Sequence, residues 1–202
     1  MMICSTMRSY PKYGGFCATT PKSHNQAIKL VVRPRPGHPT QGILQFGQMR
    51  FPCALGRGGI KALKREGDGA TPLATMRLLH GFYRGFYRIG RADAAKSPLP
   101  FHKTRPNDGW CDAPGDRNYN RPVQLPYGAS CETMQRSDRL YDCVIVLDYN
   151  IRPRLRGRGS AIFFHIAKDG FLPTEGCIAV TPQVMARLLP YLDARTVLVV
   201  SR

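Results

Sequence analysis

At 202 residues, 43% of them hydrophobic and 21% charged, the chain can bury a core and is too apolar for wholesale disorder, so one folded domain over 27–202 is expected after a basic, flexible segment at 1–26. Thirty Lys and Arg against 13 Asp and Glu give a net charge of +17, a field that draws in phosphate, carboxylate or anionic polymers without selecting a reaction. Seven cysteines at 4, 17, 53, 111, 131, 143 and 177 are odd in number, scattered and free of Cys-x-x-Cys spacing, which argues against a disulfide scaffold and the usual zinc motifs and fits a reducing compartment.

The first 26 residues never reach the apolar run of about seven or more that an export signal needs, and no segment approaches the ~18 apolar residues that cross a bilayer. On the residues alone the expectation is a cytoplasmic protein with no transmembrane segment. From Ala27 the pattern becomes strand-like: AIKLVV, GILQFG and MRFPCALG are short, apolar or alternating, and bounded by Pro or Gly. Lys64 to Pro72 reads as a turn-rich loop, and TMRLLHGFYR as a further strand.

GFYRGFYR, at 81–88, writes one unit twice and invites comparison with the aromatic RNA-binding motif of RRM sheets. Tyr87 stands where that motif needs Gly or Ala, and the surrounding element order is missing, so an exposed strand or hairpin is the reading adopted. From 92 to 139 the chain is rich in Pro, Asp, Asn and Arg and shows no sustained period, which predicts a long loop or lid, ordered by Trp110, Tyr119 and Tyr127.

YDCVIVLDY is a continuous apolar run, the mark of a strand covered on both faces. A basic loop, RPRLRGRG, leads to SAIFFHIA, a second buried strand carrying His165, and the turn KDGFLPTEG delivers the chain to Cys177 and CIAV. Thr181 as N-cap, Pro182 at the first helical position and apolar residues at 184, 185, 188, 189 and 192 predict a helix over about 182–193. A last strand, TVLVVS, completes a mainly β domain with one clear helix.

A thiol attacks acyl carbon as thiolate, so a nucleophilic Cys needs a base within reach. His165 and Cys177 lie twelve positions apart, on a strand end and after the following turn, where a hairpin-like return brings them face to face. Gly176 allows a sharp turn that presents the Cys. On these residues alone the commoner fate is a second reading: Cys177 as an inert buried thiol opening a strand, and His165 as a hydrogen-bonded core histidine.

The segment GSAIFFHIAKDGFLPTEGCIAV resembles the signature of the L,D-transpeptidase catalytic domain of the YkuD type, where a strand-borne His precedes a [Ser/Thr]-x-Gly-Cys motif. GDGATPLATM resembles the family's Gly-x-x-Thr-Pro-x-Gly-x-Phe strand, with Ala74 and Met76 in place of Gly and Phe, and NDGWCD with YNRPV resembles the central segment of a small subgroup. The likeness covers about 27–201. It departs where the best-known members read Ser-His-Gly-Cys and then Arg: Glu175 replaces that His and Ala179 the Arg.

The resemblance implies a β-sandwich-like domain with Cys177 as nucleophile and His165 as base. Gly176 and the Cys177 N–H would face the oxyanion, Thr174 would shape the turn, and Glu175 would orient His165 or bind a substrate amine. Trp110, Tyr119 and Asn120 are the candidate substrate-binding residues. The implied substrate is the peptide stem of peptidoglycan or a muropeptide, cut between meso-diaminopimelate and D-alanine through a thioester, with no metal or cofactor. An amine acceptor gives 3→3 cross-links, and water gives an L,D-carboxypeptidase acting on recycled tetrapeptides. Most of the family works in the periplasm. A reading from another class, a basic nucleic-acid-binding β domain, rests on the charge, GFYRGFYR and RPRLRGR, but no recognisable module supports specific nucleic-acid binding. Zinc held by His102, Cys111 and Cys131 fits none of the usual ligand spacings.

Overall fold

The structure, a computed structural model, describes residues 28–85 and 91–202. The expected flexible segment at 1–26 and residues 86–88 of GFYRGFYR lie outside the described residues. Among those described, β1 (Lys29–Arg35), β2 (His38–Phe46) and β3 (Met49–Ala54) form an antiparallel meander, followed by the short β4 (Ile60–Lys61) and β5 (Thr71–Pro72) and the long β6 (Thr75–Tyr83). A helical turn, α1 (Arg91–Ala94), precedes β7 (Phe101–Lys103), β8 (Asp108–Cys111), β9 (Arg121–Gln124) and β10 (Cys131–Thr133). Then come β11 (Cys143–Leu147), β12 (Phe163–Ile166), β13 (Ile178–Val180), α2 (Pro182–Leu188) and β14 (Val197–Val200). No described helix is long and apolar enough to cross a membrane.

The main sheet runs in the order β11-β12-β13-β3-β2-β1-β14-β6-β7, and β6 also pairs with β11, so the sheet folds over and its ends meet. Alternation on these strands sends one set of side chains inward. Leu30, Val32, Leu44, Met76, Leu78, Ile145, Phe164, Ile178, Val180 and Leu198 form the main core with Met185, Leu188, Leu189 and Leu192 from α2 and the turn after it. The helix starts as its sequence predicts, with Thr181 Oγ1 accepting from the Val184 N–H and Pro182 in the first turn. Its α-helical part stops at Leu188, and a 3-10 turn over Leu189–Tyr191 takes the chain toward 193, because Pro190 cannot donate the next backbone bond.

β11 is buried along its whole length, as its unbroken apolar run predicts. Cys143, Ile145 and Leu147 face the main core, while Val144 and Val146 face a second cluster with Trp110, Met134, Tyr141, Ala161, Phe163 and Cys177. That second cluster is roofed by a three-stranded sheet of order β10-β8-β9. The segment 92–139 is therefore not one long loop. Its strands have three or four residues each, too short for alternation to register as a period, and they are held by cross-strand bonds that local sequence does not display.

Strands β12 and β13 run parallel, with Phe164 beside Ile178 and His165 beside Ala179. The hairpin-like return expected between His165 and Cys177 is corrected to a crossover, because the chain after β12 is long enough to travel back before entering β13. The register still puts Cys177 level with Phe163, and the two-residue period leaves Phe163, His165 and Cys177 on one face, away from the main core.

Candidate functional site

A cavity of about 310 Å³ lies between this face and the small sheet. Cys177 and His165 line it, with Tyr141, Ala161, Thr174 and Glu175 beside them and the charged side chains Glu66, Asp112, Glu132, Arg136 and Lys168 around the wall. Four of the chain's 13 acidic residues, Glu66, Asp112, Glu132 and Glu175, gather here in a protein of net charge +17, so the local field runs against the global one.

The turn before Cys177 is tied to the segment after β3. Thr174 pairs with Gly56: its N–H donates to the Leu55 carbonyl at 2.9 Å and its carbonyl accepts from the Arg57 N–H at 2.8 Å. The Thr174 hydroxyl donates to the Cys177 carbonyl at 2.7 Å and accepts from the Gly176 N–H at 3.2 Å, which makes it the clasp of the turn. Gly176 has φ 128°, and a Cβ there would sit 2.7 Å from the Ala70 carbonyl oxygen, so both conformation and space require glycine. Its N–H is engaged by Thr174 rather than turned free into the cavity.

The Cys177 thiol is 6% exposed and donates to the Ala161 carbonyl at 3.2 Å, while its sulfur accepts from the Phe163 N–H at 3.4 Å. Burial, with the Glu132 charge adding to it, pushes the thiol up to about 12. His165 is buried, and its Nδ1 lies 2.8 Å from the Ile166 carbonyl. A carbonyl oxygen only accepts, so Nδ1 carries the proton and the neutral ring keeps a lone pair on Nε2. Burial holds the imidazole down to about 4 against the pull of that carbonyl, and the Arg136 charge lowers it further. Thiol and imidazole are thus both neutral near pH 7 rather than a preformed ion pair.

Tyr141 sets its ring edge against His165 at 5.3 Å and donates its hydroxyl to the half-buried Glu132 of β10. Arg136 lies over the Tyr141 ring at 5.2 Å and pairs with Asp138 at 2.6 Å. Desolvation raises the Glu132 carboxyl, and Tyr141 and Arg136 act to hold it down. Glu175 does not bond His165: it pairs with Arg57 at 2.9 Å on the rim, where both side chains are more than half exposed.

Trp110, Tyr119 and Asn120, expected to touch substrate, are placed as the scaffold behind the cavity instead. Asn120 accepts from Trp110 Nε1 and from the Ala161 N–H, both at 3.0 Å, and donates to the carbonyls of Tyr149 at 3.1 Å and Asn150 at 2.9 Å. It holds the carbonyl-bearing residue to which Cys177 donates. Tyr119 donates to Glu66, which also accepts from Ser160 at 2.9 Å, and its oxygen accepts from the Gly159 N–H at 3.1 Å. All three side chains are at most 2% exposed. Trp110 packs edge-on against Phe163 at 5.2 Å and borders a separate hollow with Pro122 and Tyr127.

Residues that sequence reasoning did not single out, Glu66, Glu132, Arg136 and Tyr141, form much of the wall. Glu66 is delivered by the loop after β4. Burial pushes the Asp68 carboxyl up, but the Lys64 ammonium and the N–H groups of Arg65 and Ala70 outweigh it and hold Asp68 near 2, fixing that loop. Among the described residues no group of three or more His, Cys, Asp and Glu is arranged to hold a metal ion. His102 stands in a ring cluster with His80 and Phe82, and Cys111 and Cys131 face each other in the small sheet.

No curated protein matches the chain. A solved structure, L,D-transpeptidase 1 of Mycobacterium tuberculosis, is similar at 11% identity and a TM-score of 0.39, over 86% of this chain and 61% of that one, so this chain spans less than two thirds of that protein. The family model of the L,D-transpeptidase catalytic domain, YkuD, matches residues 45–200, a span that includes β3, the Thr174–Cys177 turn and every strand around the cavity. The chain belongs to the YkuD family of L,D-transpeptidase catalytic domains.

Proposed function

We propose that the protein is a cysteine acyltransferase acting on the peptide stems of peptidoglycan, with Cys177 as nucleophile and His165 as general base. The observation that carries this reading is the pairing, on one face and in one cavity, of a thiol with a neutral imidazole whose Nδ1 proton is fixed on the Ile166 carbonyl. That tautomer leaves Nε2 to take the thiol proton as a substrate carbonyl arrives.

Cys177 Sγ attacks the carbonyl between the L-centre of meso-diaminopimelate and the terminal D-alanine. The sulfur proton passes to His165, the oxyanion forms against the Cys177 N–H, and the imidazolium returns its proton to the departing D-alanine amine. A thioester remains on Cys177. A second stem's amine resolves it to a 3→3 cross-link, with His165 again as base. The acidic wall of Glu66, Asp112 and Glu132, with Glu175 on the exposed rim, favours binding of an amine acceptor, because an ammonium group gains from carboxylates partly shielded from water. Arg136 and Lys168 provide opposite charge for stem carboxylates.

Incubation of the protein with a disaccharide tetrapeptide, with and without an amine acceptor, tests this by mass spectrometry of the products. D-Alanine release and a cross-linked or aminolysed product are expected, and both are lost in Cys177→Ala. Release with only tripeptide formed, whatever the acceptor, would assign the enzyme as an L,D-carboxypeptidase. No release, with Cys177→Ala behaving as wild type, would remove the proposal.

A further inference from the structure

Cys111 and Cys131 play no part in the chemistry above, yet the fold sets them opposite one another. In the β8–β10 ladder Cys131 is the register partner of Cys111. The backbone bonds of that ladder fall on its other pairs: the Asp112 N–H donates to the Ser130 carbonyl at 3.2 Å and the Met134 N–H to the Asp108 carbonyl at 2.9 Å. Hydrogen-bonded and non-hydrogen-bonded pairs alternate in an antiparallel ladder, so Cys111 and Cys131 form a non-hydrogen-bonded pair. Such pairs have Cα atoms about 4.5 Å apart and side chains on one face, inside the ~4.4–6.8 Å that a disulfide spans.

Both thiols are free. Cys111 is fully buried and Cys131 is partly exposed, so one sulfur is open to attack from solvent and the other waits beneath it. The alternation that puts Trp110 and Glu132 toward the main sheet puts this pair on the opposite face, which keeps Cys177 out of the exchange. Each cysteine is also next in sequence to a residue of the cavity wall, Asp112 after Cys111 and Glu132 after Cys131. Strand β10 has three residues and, among the described residues, pairs only with β8, so it is the lightly held edge of that wall.

We propose that Cys111 and Cys131 are a disulfide-forming pair that, when oxidised, staples β10 to β8 and fixes the acidic wall of the Cys177 cavity. The oxidant is a low-molecular-weight or protein disulfide. The Cys131 thiolate attacks one of its sulfurs, forming a mixed disulfide and releasing the first thiol. The Cys111 thiolate then attacks the Cys131 sulfur, the cross-strand bond forms, and the second thiol leaves. Two protein thiols are oxidised, one external disulfide is reduced to two thiols, and the two protons lost by Cys111 and Cys131 end on those departing thiols. Burial, with the Asp112 carboxylate adding to it in both and Asp116 in Cys111, raises both thiols, which makes the exchange faster in mild alkali.

The test equilibrates the folded full-length chain with reduced and oxidised glutathione at about pH 8, where the larger thiolate fraction speeds exchange. After acid quench and alkylation, peptide mapping is expected to find the Cys111 and Cys131 peptides joined. The linked form is expected to show slowed amide hydrogen exchange across 131–133, and Cys131→Ser is expected to show neither the link nor the slowing. Cys111 and Cys131 both remaining alkylatable, or Cys131 carrying only glutathione, would overturn the pairing. Linked peptides with unchanged exchange across 131–133 would overturn the staple. Cys177→Ala is expected to form the link at the wild-type rate, so failure of this inference and failure of the catalytic proposal are read separately.

Discussion

Strands β11, β12 and β13 present two faces with different duties, and the contrast locates the chemistry. Their inner face, Ile145, Phe164, Ile178 and Val180, is apolar throughout and belongs to the main core. One backbone position away, the outer face carries His165 and Cys177 under Tyr141 and Glu132, polar groups covered by a small sheet. Burial on the inner face stabilises the fold, whereas on the outer face it sets the protonation of a thiol and an imidazole. Substitutions on the two faces should therefore separate activity from stability.

The largest separation is expected at Cys177→Ala, which should abolish D-alanine release while leaving the urea unfolding midpoint close to wild type; a variant that retains turnover would break the contrast. His165→Ala should lower the rate by about 10²–10⁴-fold, the usual worth of a general base, in single-turnover assays. On the other face, Phe164→Ala should cost about 3–5 kcal/mol in urea titration, because it opens a cavity in a fully buried position.

The outer face should also reveal itself in pH. His165 falls from 6.5 in the unfolded chain to about 4 in the fold. Between those values the unfolded chain binds the extra proton, so stability is complete above pH 6.5 and is lost as pH falls toward 4, by roughly 3 kcal/mol. Stability curves of the wild type and His165→Ala should converge over that window. The smallest effect belongs to the rim: Glu175→Gln breaks an exposed pair with Arg57 and should change stability by less than about 1 kcal/mol. If it raises the KM of an amine acceptor while leaving D-alanine release in water unchanged, the acidic wall acts on the acceptor.

Much of the main sheet is legible in the sequence because its strands alternate or run apolar for five or more residues, as in β1, β6 and β11, and because Thr181 and Pro182 mark the helix start. The small sheet is not, since β8, β9 and β10 are each too short to show a period and depend on partners far along the chain. The site divides in the same way. His165, Cys177 and the glycine before it sit in one local motif, so they can be read together. Glu66 cannot, because its hydroxyl partners Tyr119 and Ser160 stand 53 and 94 positions away. Trp110, Tyr119 and Asn120 carry a true signal of order, but their type alone does not say whether they face a ligand or, as observed, hold Ala161 and the loop before it behind the thiol.

The most direct test of the central claim is intact-protein mass spectrometry of the full chain mixed with a disaccharide tetrapeptide and quenched during turnover. An adduct with the mass of the stem less D-alanine is expected, mapped to Cys177, with slower formation in His165→Ala and none in Cys177→Ala. An adduct on another residue, or turnover that persists in Cys177→Ala, would contradict it.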